Sequence, residues 1–413
     1  MKNNFLSEFI SRGFLHQCTD QDKLDNFLNK TKIRAYIGFD CTAPSLHVGS
    51  LLQIMCLRLL QKHGHQPIVL LGGGTTLIGD PSGKDNTRKI LDKKTINSNI
   101  KKIKNIFLKL LKTNNKKLSP IFVDNSKWLE KLKYIEFLRN IGKHFTINKM
   151  LSFESVKLRL DREQSLSYME FNYMILQSYD FYKLNKDLNC LLQIGGSDQW
   201  GNIVNGVELI RKINQKESIG ITTPLITLAS GAKMGKSEKG AIWLDKNLYS
   251  PYDYWQFWRN TADEDVVRFL KYFTEIANNK IDEQVRIKKN INDLKILLAN
   301  ETTKILHGEI AAKKAEKTAK ETFQTRGTSK DLPEIIISSS QIKNGVNILD
   351  LLNSNKITSS KSEARRAINN KAIKINDKLI TDEKLIINLN NFDNKNLVKI
   401  SFGKKKHFVV KII

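Results

Sequence analysis

Two short segments of the sequence carry residues that could bind the phosphates of a nucleotide. Residues 46–50 lie between a predicted strand and a predicted helix, where free backbone N–H groups and the positive end of the helix dipole favour anions. His47 could donate to a phosphate oxygen, and Gly49 could let a flat base lie against the backbone because it has no Cβ. On a second, glycine-bracketed loop, Lys233 and Lys236 could neutralise charge on a departing pyrophosphate. Taken singly, these residues are better explained as a helix cap and as a solvated loop.

Two other glycine-rich segments look like phosphate loops but do not match the known patterns. Residues 79–84 have three residues between the glycines where a P-loop has four, and no Ser or Thr follows Lys84. Residues 72–77 end in Leu77, where a dinucleotide-binding turn has glycine or alanine. Taken alone, either segment is better interpreted as a tight turn.

A third group of polar residues lies in an apolar helical stretch. Tyr173, Gln177 and Asp180 are spaced four and three residues apart, so they share one face of a helix and can line one pocket. The apolar neighbours of Asp180 imply that its carboxylate is buried and needs a hydrogen-bond partner.

Alternating strands and helices must position these groups. Short apolar runs at 34–39, 67–71, 120–123 and 191–196 indicate strands, and helical spacing of apolar residues appears at 46–63 and 99–111. This alternation predicts an α/β fold with a doubly wound parallel sheet, in which ligands bind beyond the carboxyl ends of the strands.

The rest of the chain divides into shorter regions. We predict a catalytic Rossmann-like domain over 1–248, an α-helical domain over 249–325, a linker over 326–345 that contains Gly, Pro and a serine run, and a small α+β domain over 346–413.

Composition excludes several classes of protein. Apolar residues make up 40% and charged residues 27% of the 413, so the chain can bury a large core and is not a disordered protein. The four cysteines are dispersed, which argues against a disulfide scaffold or zinc cluster and fits a reducing cytoplasm. No apolar run approaches the roughly 20 residues that cross a bilayer, and the N-terminus lacks the apolar core of a signal peptide.

The strongly positive charge has two explanations. The net charge is +26, which favours a polyanionic partner, but Lys, Asn and Ile are common throughout, as in a general drift of composition. Residues 346–413 contain 14 Lys and Arg against 6 Asp and Glu, about twice the average density of positive charge.

A basic helix is predicted within this C-terminal segment. Residues 359–368 can be capped by Ser360 or Ser362. Three cations cluster on one side of the helix: Lys361, Arg365 and Arg366. The helix is either an RNA-binding surface or a solvated face.

Taken together and in this order, the motifs resemble the class I aminoacyl-tRNA synthetases. Residues 46–50 are similar to the HIGH element and residues 233–237 to the KMSKS loop. Further blocks are similar to those of the bacterial tyrosyl-tRNA synthetases: residues 34–40, 79–84, 173–180 and 196–202. The resemblance implies that residues 249–325 bind the anticodon stem, and residues 346–413 resemble the RNA-binding domain of the ribosomal small-subunit protein four type. Two positions depart from the pattern: Ser50 replaces the last histidine of HIGH, which puts a ribose contact there in doubt, and Gly235 replaces the middle serine of KMSKS.

The resemblance implies activation of tyrosine by ATP and transfer of the tyrosyl group to the 3′ end of tRNA(Tyr). Because the tyrosine carboxylate is itself the nucleophile, catalysis needs only positioning and charge stabilisation. The implied phosphate-contacting residues are Thr42, His47, Lys84, Arg88, Lys233 and Lys236, with Gly49 against the base and Gly196 and Asp198 facing the ribose.

The resemblance also implies a pocket for tyrosine. Tyr36 would donate to the phenol oxygen and Asp180 would accept from the phenol hydroxyl, so phenylalanine would leave both unpaired. The ammonium would be held by Tyr173, Gln177 and Asp80, and the carboxylate would meet Gln199. Gly38 and Asp40 complete the implied tyrosine-binding set.

The implied partners are tRNA(Tyr), tyrosine, ATP accompanied by Mg²⁺, and a second copy of the chain that contacts residues 128–166. We expect no tightly bound cofactor, no dedicated metal site, no membrane contact and a cytoplasmic location. The alternatives to this interpretation are a tryptophanyl-tRNA synthetase or small nucleotidyltransferase, and a non-catalytic RNA-binding or splicing protein on the same scaffold.

Overall fold

A six-stranded sheet organises the N-terminal part of the chain. The computed structural model describes residues 4–80, 91–229, 231, 234–237, 240–287, 290–324, 334–343, 345–376, 378–392, 397–403 and 406–412. The strands of this sheet are β1 (Gln17–Cys18), β2 (Arg34–Asp40), β3 (Gln66–Gly72), β4 (Ile121–Asp124), β5 (Cys190–Gly196) and β6 (Ile219–Thr223). Their order is β1-β6-β5-β2-β3-β4, and only the pairing of β1 with β6 is antiparallel.

This strand order confirms the predicted doubly wound parallel sheet. The chain proceeds from β2 to β3 and β4 on one side and later places β5 and β6 on the other, so the order reverses between β2 and β5. Such a switch point opens a crevice at the carboxyl ends of the two strands.

Helices connect the strands, and the longer ones bury an apolar stripe. In α3, for example, Leu52, Met55 and Leu59 are buried. The helices up to residue 214 are α1 (Asn4–Ser11), α2 (Gln21–Lys30), α3 (Leu51–Lys62), α4 (Lys93–Leu110), α5 (Ser126–Leu129), α6 (Tyr134–Asn140), α7 (Ile147–Ser152), α8 (Glu154–Asp161), α9 (Tyr168–Phe171), α10 (Tyr173–Leu188) and α11 (Trp200–Asn214).

A short hairpin follows the sheet. Strand β7 (Lys236–Ser237) pairs with β8 (Gly240–Ala241). The chain then returns to the first phosphate motif, where the Val48 N–H donates to the Ile242 carbonyl over 2.9 Å and the Leu244 N–H to the Leu46 carbonyl over 2.8 Å. Backbone hydrogen bonds therefore join the segment after the hairpin to residues 46–48.

The described residues between 251 and 324 are mostly helical, as their pattern predicts. The helices are α12 (Pro251–Arg259), α13 (Val266–Phe273), α14 (Asn278–Ile287), α15 (Ile291–His307) and α16 (Glu309–Gln324). The chain forms two compact units: 1–249 with 261–294, and 250–260 with 295–413. The functional boundaries at 248 and 345 stay predictions.

The C-terminal segment has its own sheet and core. The elements are β9 (Glu334–Ile337), α17 (Ser339–Lys343), β10 (Val346–Asn347), α18 (Ile348–Ser354), α19 (Lys361–Asn369), β11 (Ile373–Ile375), β12 (Lys378–Leu379), β13 (Ile386–Ile387), β14 (Leu397–Phe402) and β15 (Lys406–Ile412). The five-stranded sheet has the order β12-β11-β14-β15-β9, and a two-stranded sheet pairs β10 with β13.

Part of the predicted linker is structured. Residues 334–337 form β9, which pairs in parallel with β15, and Ile342 is fully buried in the same core. Residues 325–333 lie outside the described residues. In α19, Ser360 provides the cap by accepting from the Glu363 N–H over 3.1 Å, which decides between the two predicted caps.

Candidate active site

A cavity of about 320 Å³ lies at the carboxyl ends of β2 and β5, where the strand order reverses. Most of the described candidate residues line it: Tyr36, Gly38, Asp40, Gly49, Asp80, Tyr173, Gln177, Asp180, Gly196, Asp198 and Gln199. They come from β2, α10, the end of β5 and the segments between, so one crevice joins groups that are more than 150 residues apart in the chain.

Tyr36 and Asp180 line the most deeply buried part of this cavity. Each is only 1% exposed, and the Tyr36 ring packs against Phe181 at 5.3 Å. The Tyr36 hydroxyl has no hydrogen-bond partner among the described residues. A buried hydroxyl is costly to leave unpaired, and this one is available to form a hydrogen bond with a polar group of a ligand.

Asp180 is held by Asn125, which the sequence did not single out, and by Trp128, which the sequence placed in the segment expected to contact a second copy. The Asn125 side-chain amide donates to Oδ2 over 2.8 Å, and the Trp128 indole N–H donates to Oδ1 over 2.7 Å. Asn125 follows β4 directly, and polar residues just beyond the end of a parallel strand are the signal that could have identified it.

Burial changes the proton affinity of both groups. Loss of hydration raises the pKa of Asp180 to about 7, the bonds from Asn125 and Trp128 counteract this rise, and the charges of Asp40 and Asp124 add to it. The pKa of Tyr36 is well above its ordinary value because of burial and the nearby Asp180. Near neutral pH, a neutral hydroxyl therefore lies beside a carboxyl group that can ionise.

Gln193 also lines the cavity and was not predicted. It is the β5 partner of Tyr36 in the sheet register. Its side-chain oxygen is buried and has no hydrogen-bond partner among the described residues. A glutamine within a strand carries no sequence signal of this kind, because only strand pairing brings it next to Tyr36.

Acids and amides line another part of the cavity. The Tyr173 hydroxyl lies 3.3 Å from both carboxylate oxygens of Asp40. The Gln199 amide donates to Asp80 over 2.9 Å, and Asn202 donates to the Gln177 oxygen over 3.0 Å. Two carboxylates and an amide oxygen near one another suit an ammonium group.

The first phosphate motif has a defined histidine tautomer. His47 Nδ1 accepts from the Gly49 N–H over 3.0 Å, so in the neutral ring the proton is on Nε2. That nitrogen is then a donor, as a contact to phosphate oxygen requires. Thr42 is exposed and does not line the cavity.

The structure places part of the lysine loop against Gly49. A Cβ on Gly49 would lie 2.9 Å from the Met234 carbonyl oxygen and 2.7 Å from the His47 ring. Gly235 has a φ of +116°, and a Cβ there would lie 2.7 Å from His47 Nδ1. The face of Gly49 that the sequence assigned to a base therefore meets the loop in this conformation, and Gly235 is the residue that permits this close approach.

Several candidate residues cannot be placed. Lys84, Arg88 and Lys233 lie outside the described residues, and Lys236 is described only as backbone in β7. Across the described ranges, no three His, Cys, Asp or Glu side chains are grouped so that they could hold a metal ion.

The candidate RNA-binding residues lie on α19 in the second unit. Lys361 forms an ion pair with Asp350, and Arg365 pairs with Glu383 over 2.9 Å. Arg366, on the same helix, is exposed. Such exposed pairs are weak, so they can be exchanged for contacts to phosphate.

No helix in the described part of the chain is long and apolar enough to span a membrane.

Comparison with known proteins agrees with the geometry. Residues 28–324 match the model of the class I tRNA synthetases (W and Y), and residues 324–410 match that of the tyrosine–tRNA ligase SYY-like C-terminal domain. The tyrosine–tRNA ligase of Pelagibacter ubique is 61% identical over 412 residues and that of Rickettsia massiliae 51% over 409, each aligned over at least 99% of both chains.

Solved structures extend the likeness to the fold. A C-terminally truncated mitochondrial tyrosyl-tRNA synthetase of Aspergillus nidulans superposes with a TM-score of 0.70 at 29% identity. That match covers 77% of this chain and 94% of the other. The relatives, the two family models and the shared fold together show that this chain belongs to the class I tRNA synthetases of the tryptophan and tyrosine type.

Proposed function

We propose that this chain is a tyrosine–tRNA ligase, and the buried pair Tyr36 and Asp180 carries the proposal. A phenol hydroxyl at this end of the cavity would accept from Tyr36 and donate to Asp180. An aromatic ring without the hydroxyl would leave both buried groups unpaired, which costs about 1–3 kcal/mol for each. The cavity therefore favours tyrosine over phenylalanine.

The other end of the amino acid has a matching set of groups. Asp80, Gln177 and the Tyr173–Asp40 pair would hold the ammonium, and Gln199 would orient the carboxylate. This places the carboxylate at the mouth of the cavity, beside the helix N-terminus that carries Gly49. The orientation is the one that brings the nucleophile to the α-phosphate of ATP.

The reaction proceeds in two displacements at these positions. A carboxylate oxygen of tyrosine forms a bond to the α-phosphorus, and the bond to pyrophosphate breaks, which gives tyrosyl-adenylate. A hydroxyl of the tRNA 3′ end then attacks the tyrosyl carbonyl, and AMP leaves. His47 Nε2–H, Thr42, Lys84, Arg88, Lys233 and Lys236 are the proposed contacts to the phosphates, where they offset the developing negative charge.

Further assignments belong to the same proposal. Gly196 and Asp198 would contact the ribose. A Cβ at Gly196 would lie 2.6 Å from the Asp198 carboxylate and would crowd that contact. Mg²⁺ would arrive with the phosphates of ATP. A cytoplasmic location fits a protein that uses tRNA and ATP and has four unpaired cysteines.

The second unit would bind tRNA. We assign residues 249–325 to the anticodon stem and residues 346–413 to a further RNA contact through Lys361, Arg365 and Arg366. The predicted similarity of 346–413 to the RNA-binding domain of ribosomal small-subunit protein four supports this assignment.

Tyrosine-dependent exchange of pyrophosphate into ATP tests the proposed activity. We expect exchange with tyrosine and none above background with phenylalanine or tryptophan. Exchange with tryptophan alone would overturn the proposal, and RNA binding without any exchange would favour a non-catalytic protein on this scaffold.

The pH dependence of tyrosine activation reports the ionisation of Asp180. The raised pKa of about 7 means that the carboxylate, which accepts the phenol hydroxyl, is formed as the pH rises through 7. We expect kcat/KM for tyrosine to fall by up to about tenfold per pH unit below this value. Trp128→Phe removes a donor to the carboxylate, so its profile should shift to higher pH. The assignment would be contradicted if the pH profile of Trp128→Phe coincided with that of the wild type. It would also be contradicted if the pH profile of kcat/KM for ATP shifted by the same amount.

We also propose a homodimer formed through residues 128–166. Large apolar side chains are exposed there, including Ile135 at 72% and Ile147 at 60%. The other side of the segment packs internally around Met150 and Val156, which leaves the exposed side available for a second copy.

A charge in this surface should dissociate the dimer. We expect Ile135→Asp to convert the wild-type dimer to a monomer in analytical ultracentrifugation, because a carboxylate would be buried without a partner. The matched control is Leu248→Asp, at an exposed leucine outside this segment, which should stay dimeric. A monomeric wild type would overturn the proposed dimer.

A further inference from the structure

Helix α4 carries an unusual concentration of positive charge. Its sequence contains six lysines and no acidic residue, and all six are exposed. They lie opposite the buried face formed by Ile96, Ile103 and Phe107. We call these residues the lysine face: Lys93, Lys94, Lys101, Lys102, Lys104 and Lys109.

The charge of the lysine face is almost uncompensated. Lys93 pairs with Glu130 over 2.7 Å, and no other lysine of the face has a carboxylate oxygen within 4.0 Å among the described residues. Lys101 and Lys104 are three residues apart and repel each other across one helical turn. The arrangement of the lysines therefore does not stabilise the helix.

A second lysine-rich helix shows that composition alone does not explain it. In α16, Lys313 pairs with Glu309 over 2.8 Å, and Lys320 pairs with Glu316 over 2.7 Å. General drift towards lysine would leave both helices alike. Of these two helices, α4 is the one whose lysines lack acidic residues one turn away.

A basic groove lies at the amino ends of β2, β3 and β5, the end of the sheet towards which α4 runs. Near its beginning, α4 is tied to the carboxyl end of β2 by Asn99, whose amide donates to the Cys41 carbonyl over 2.9 Å. Its eighteen residues span about 27 Å. Beyond its end is a cavity of about 520 Å³, here called the basal groove, lined by Lys32, Arg34, Gln66, Lys117 and Asn189.

The cations of the basal groove are positioned by neutral groups. The Arg34 guanidinium donates to the Gln66 oxygen over 3.0 Å and to the Leu188 carbonyl over 2.6 Å, and Lys32 donates to the Lys117 carbonyl. No described carboxylate lies within ion-pair distance of Lys32, Arg34 or Lys117. Guanidinium and ammonium groups fixed in this way suit phosphate oxygens.

We propose that the lysine face and the basal groove form one contact surface for the phosphodiester backbone of RNA. A row of cations this long suits a polymer with repeating charges better than a single small anion. A lipid surface is a poorer partner because the apolar side of α4 is buried in the core, which leaves no face to insert. The choice of RNA among polyanions rests on the proposed function.

Two variants with equal charge changes test the surface in the full-length chain. Lys94→Gln/Lys101→Gln/Lys109→Gln removes three charges from the lysine face. The control, Lys23→Gln/Lys183→Gln/Lys271→Gln, removes three lysines of the same unit that are paired with acids. Dissociation constants are measured for transcribed tRNA(Tyr) and for mixed-sequence RNA of equal length, between about 50 and 200 mM salt.

We expect the lysine-face variant to bind both RNAs about tenfold more weakly, with a salt slope lower by about 2 to 3. The control should keep the wild-type slope. Lys32→Gln/Lys117→Gln, at the basal groove, should also weaken the binding of both RNAs. Equal losses in the lysine-face variant and the control would overturn the proposal, as would a loss confined to tRNA(Tyr), because backbone contacts read no sequence.

Pyrophosphate exchange separates this inference from the proposed function. None of the substituted lysines contacts the candidate active site, so exchange should match the wild type in all three variants. Absence of exchange in the wild type would refute the ligase activity and leave the RNA measurement valid. Normal exchange with unchanged RNA binding in the lysine-face variant would refute the contact surface alone.

Discussion

Asp180→Asn is expected to lower kcat/KM for tyrosine in pyrophosphate exchange by about 10²-fold or more. The substitution removes a charged acceptor for the phenol hydroxyl, and hydrogen bonds to charged groups contribute about 1.5–3 kcal/mol. It also places an NH₂ group against one of the two donors, Asn125 and Trp128, that hold the carboxylate. The KM for ATP should change little, because the carboxylate lies at the buried part of the cavity.

Asp187→Asn is the matched control for this variant. Asp187 lies on the same helix, but it is exposed and paired with Lys183 over 2.8 Å. Exchange by this variant should stay within about twofold of the wild type. If Asp180→Asn activated tyrosine as well as Asp187→Asn does, the phenol hydroxyl could not lie where we place it.

Removal of residues 325–413 is expected to separate the two steps of the reaction. Charging of tRNA should fall by about 10²-fold or more because the proposed RNA contacts of α19 are lost, and pyrophosphate exchange should stay within about twofold. The deleted segment contains its own buried core, which includes Ile348, Ile368 and Val410. The deletion therefore removes this core whole, and a C-terminally truncated relative has a crystal structure.

A full-length variant serves as the comparison for this deletion. Lys361→Gln/Arg365→Gln/Arg366→Gln removes the proposed contacts and keeps the fold, so it should lose part of the charging activity with exchange unchanged. Normal charging by the truncated chain would show that the C-terminal segment has no role in binding tRNA.

The doubly wound parallel sheet was predictable from local patterns, whereas the position of its switch point came from the strand order. The apolar run that became β3 and the helical spacing of Leu52, Met55 and Leu59 are properties of neighbouring residues, and burial on both faces of a parallel strand demands such runs. The predicted linker was less accurate over 334–343. A short strand such as β9 is stabilised by its pairing with β15, more than 70 residues away, and no local pattern reports that pairing.

The site shows the same division. Motif order predicted that Tyr36, Tyr173 and Asp180 belong together, and the cavity contains all three. It did not assign Asn125, Trp128 or Gln193 to the site. Their roles depend on contacts with distant residues: Asn125 and Trp128 donate to Asp180, and Gln193 pairs with Tyr36 in the sheet. An asparagine after a strand is common, but one that donates to a buried carboxylate is recognisable only when both are placed.

The sequence by itself determined the family, the α/β class and most of the kinds of groups that line the cavity, because residue type and spacing carry that chemistry directly. Tertiary structure decided the raised pKa of Asp180, the unpaired hydroxyl of Tyr36, the contact between Gly49 and the lysine loop, and the uncompensated charge of α4. Each of these depends on burial or on distances between segments far apart in the chain, and hydration, ion pairing and steric contact are properties of that arrangement.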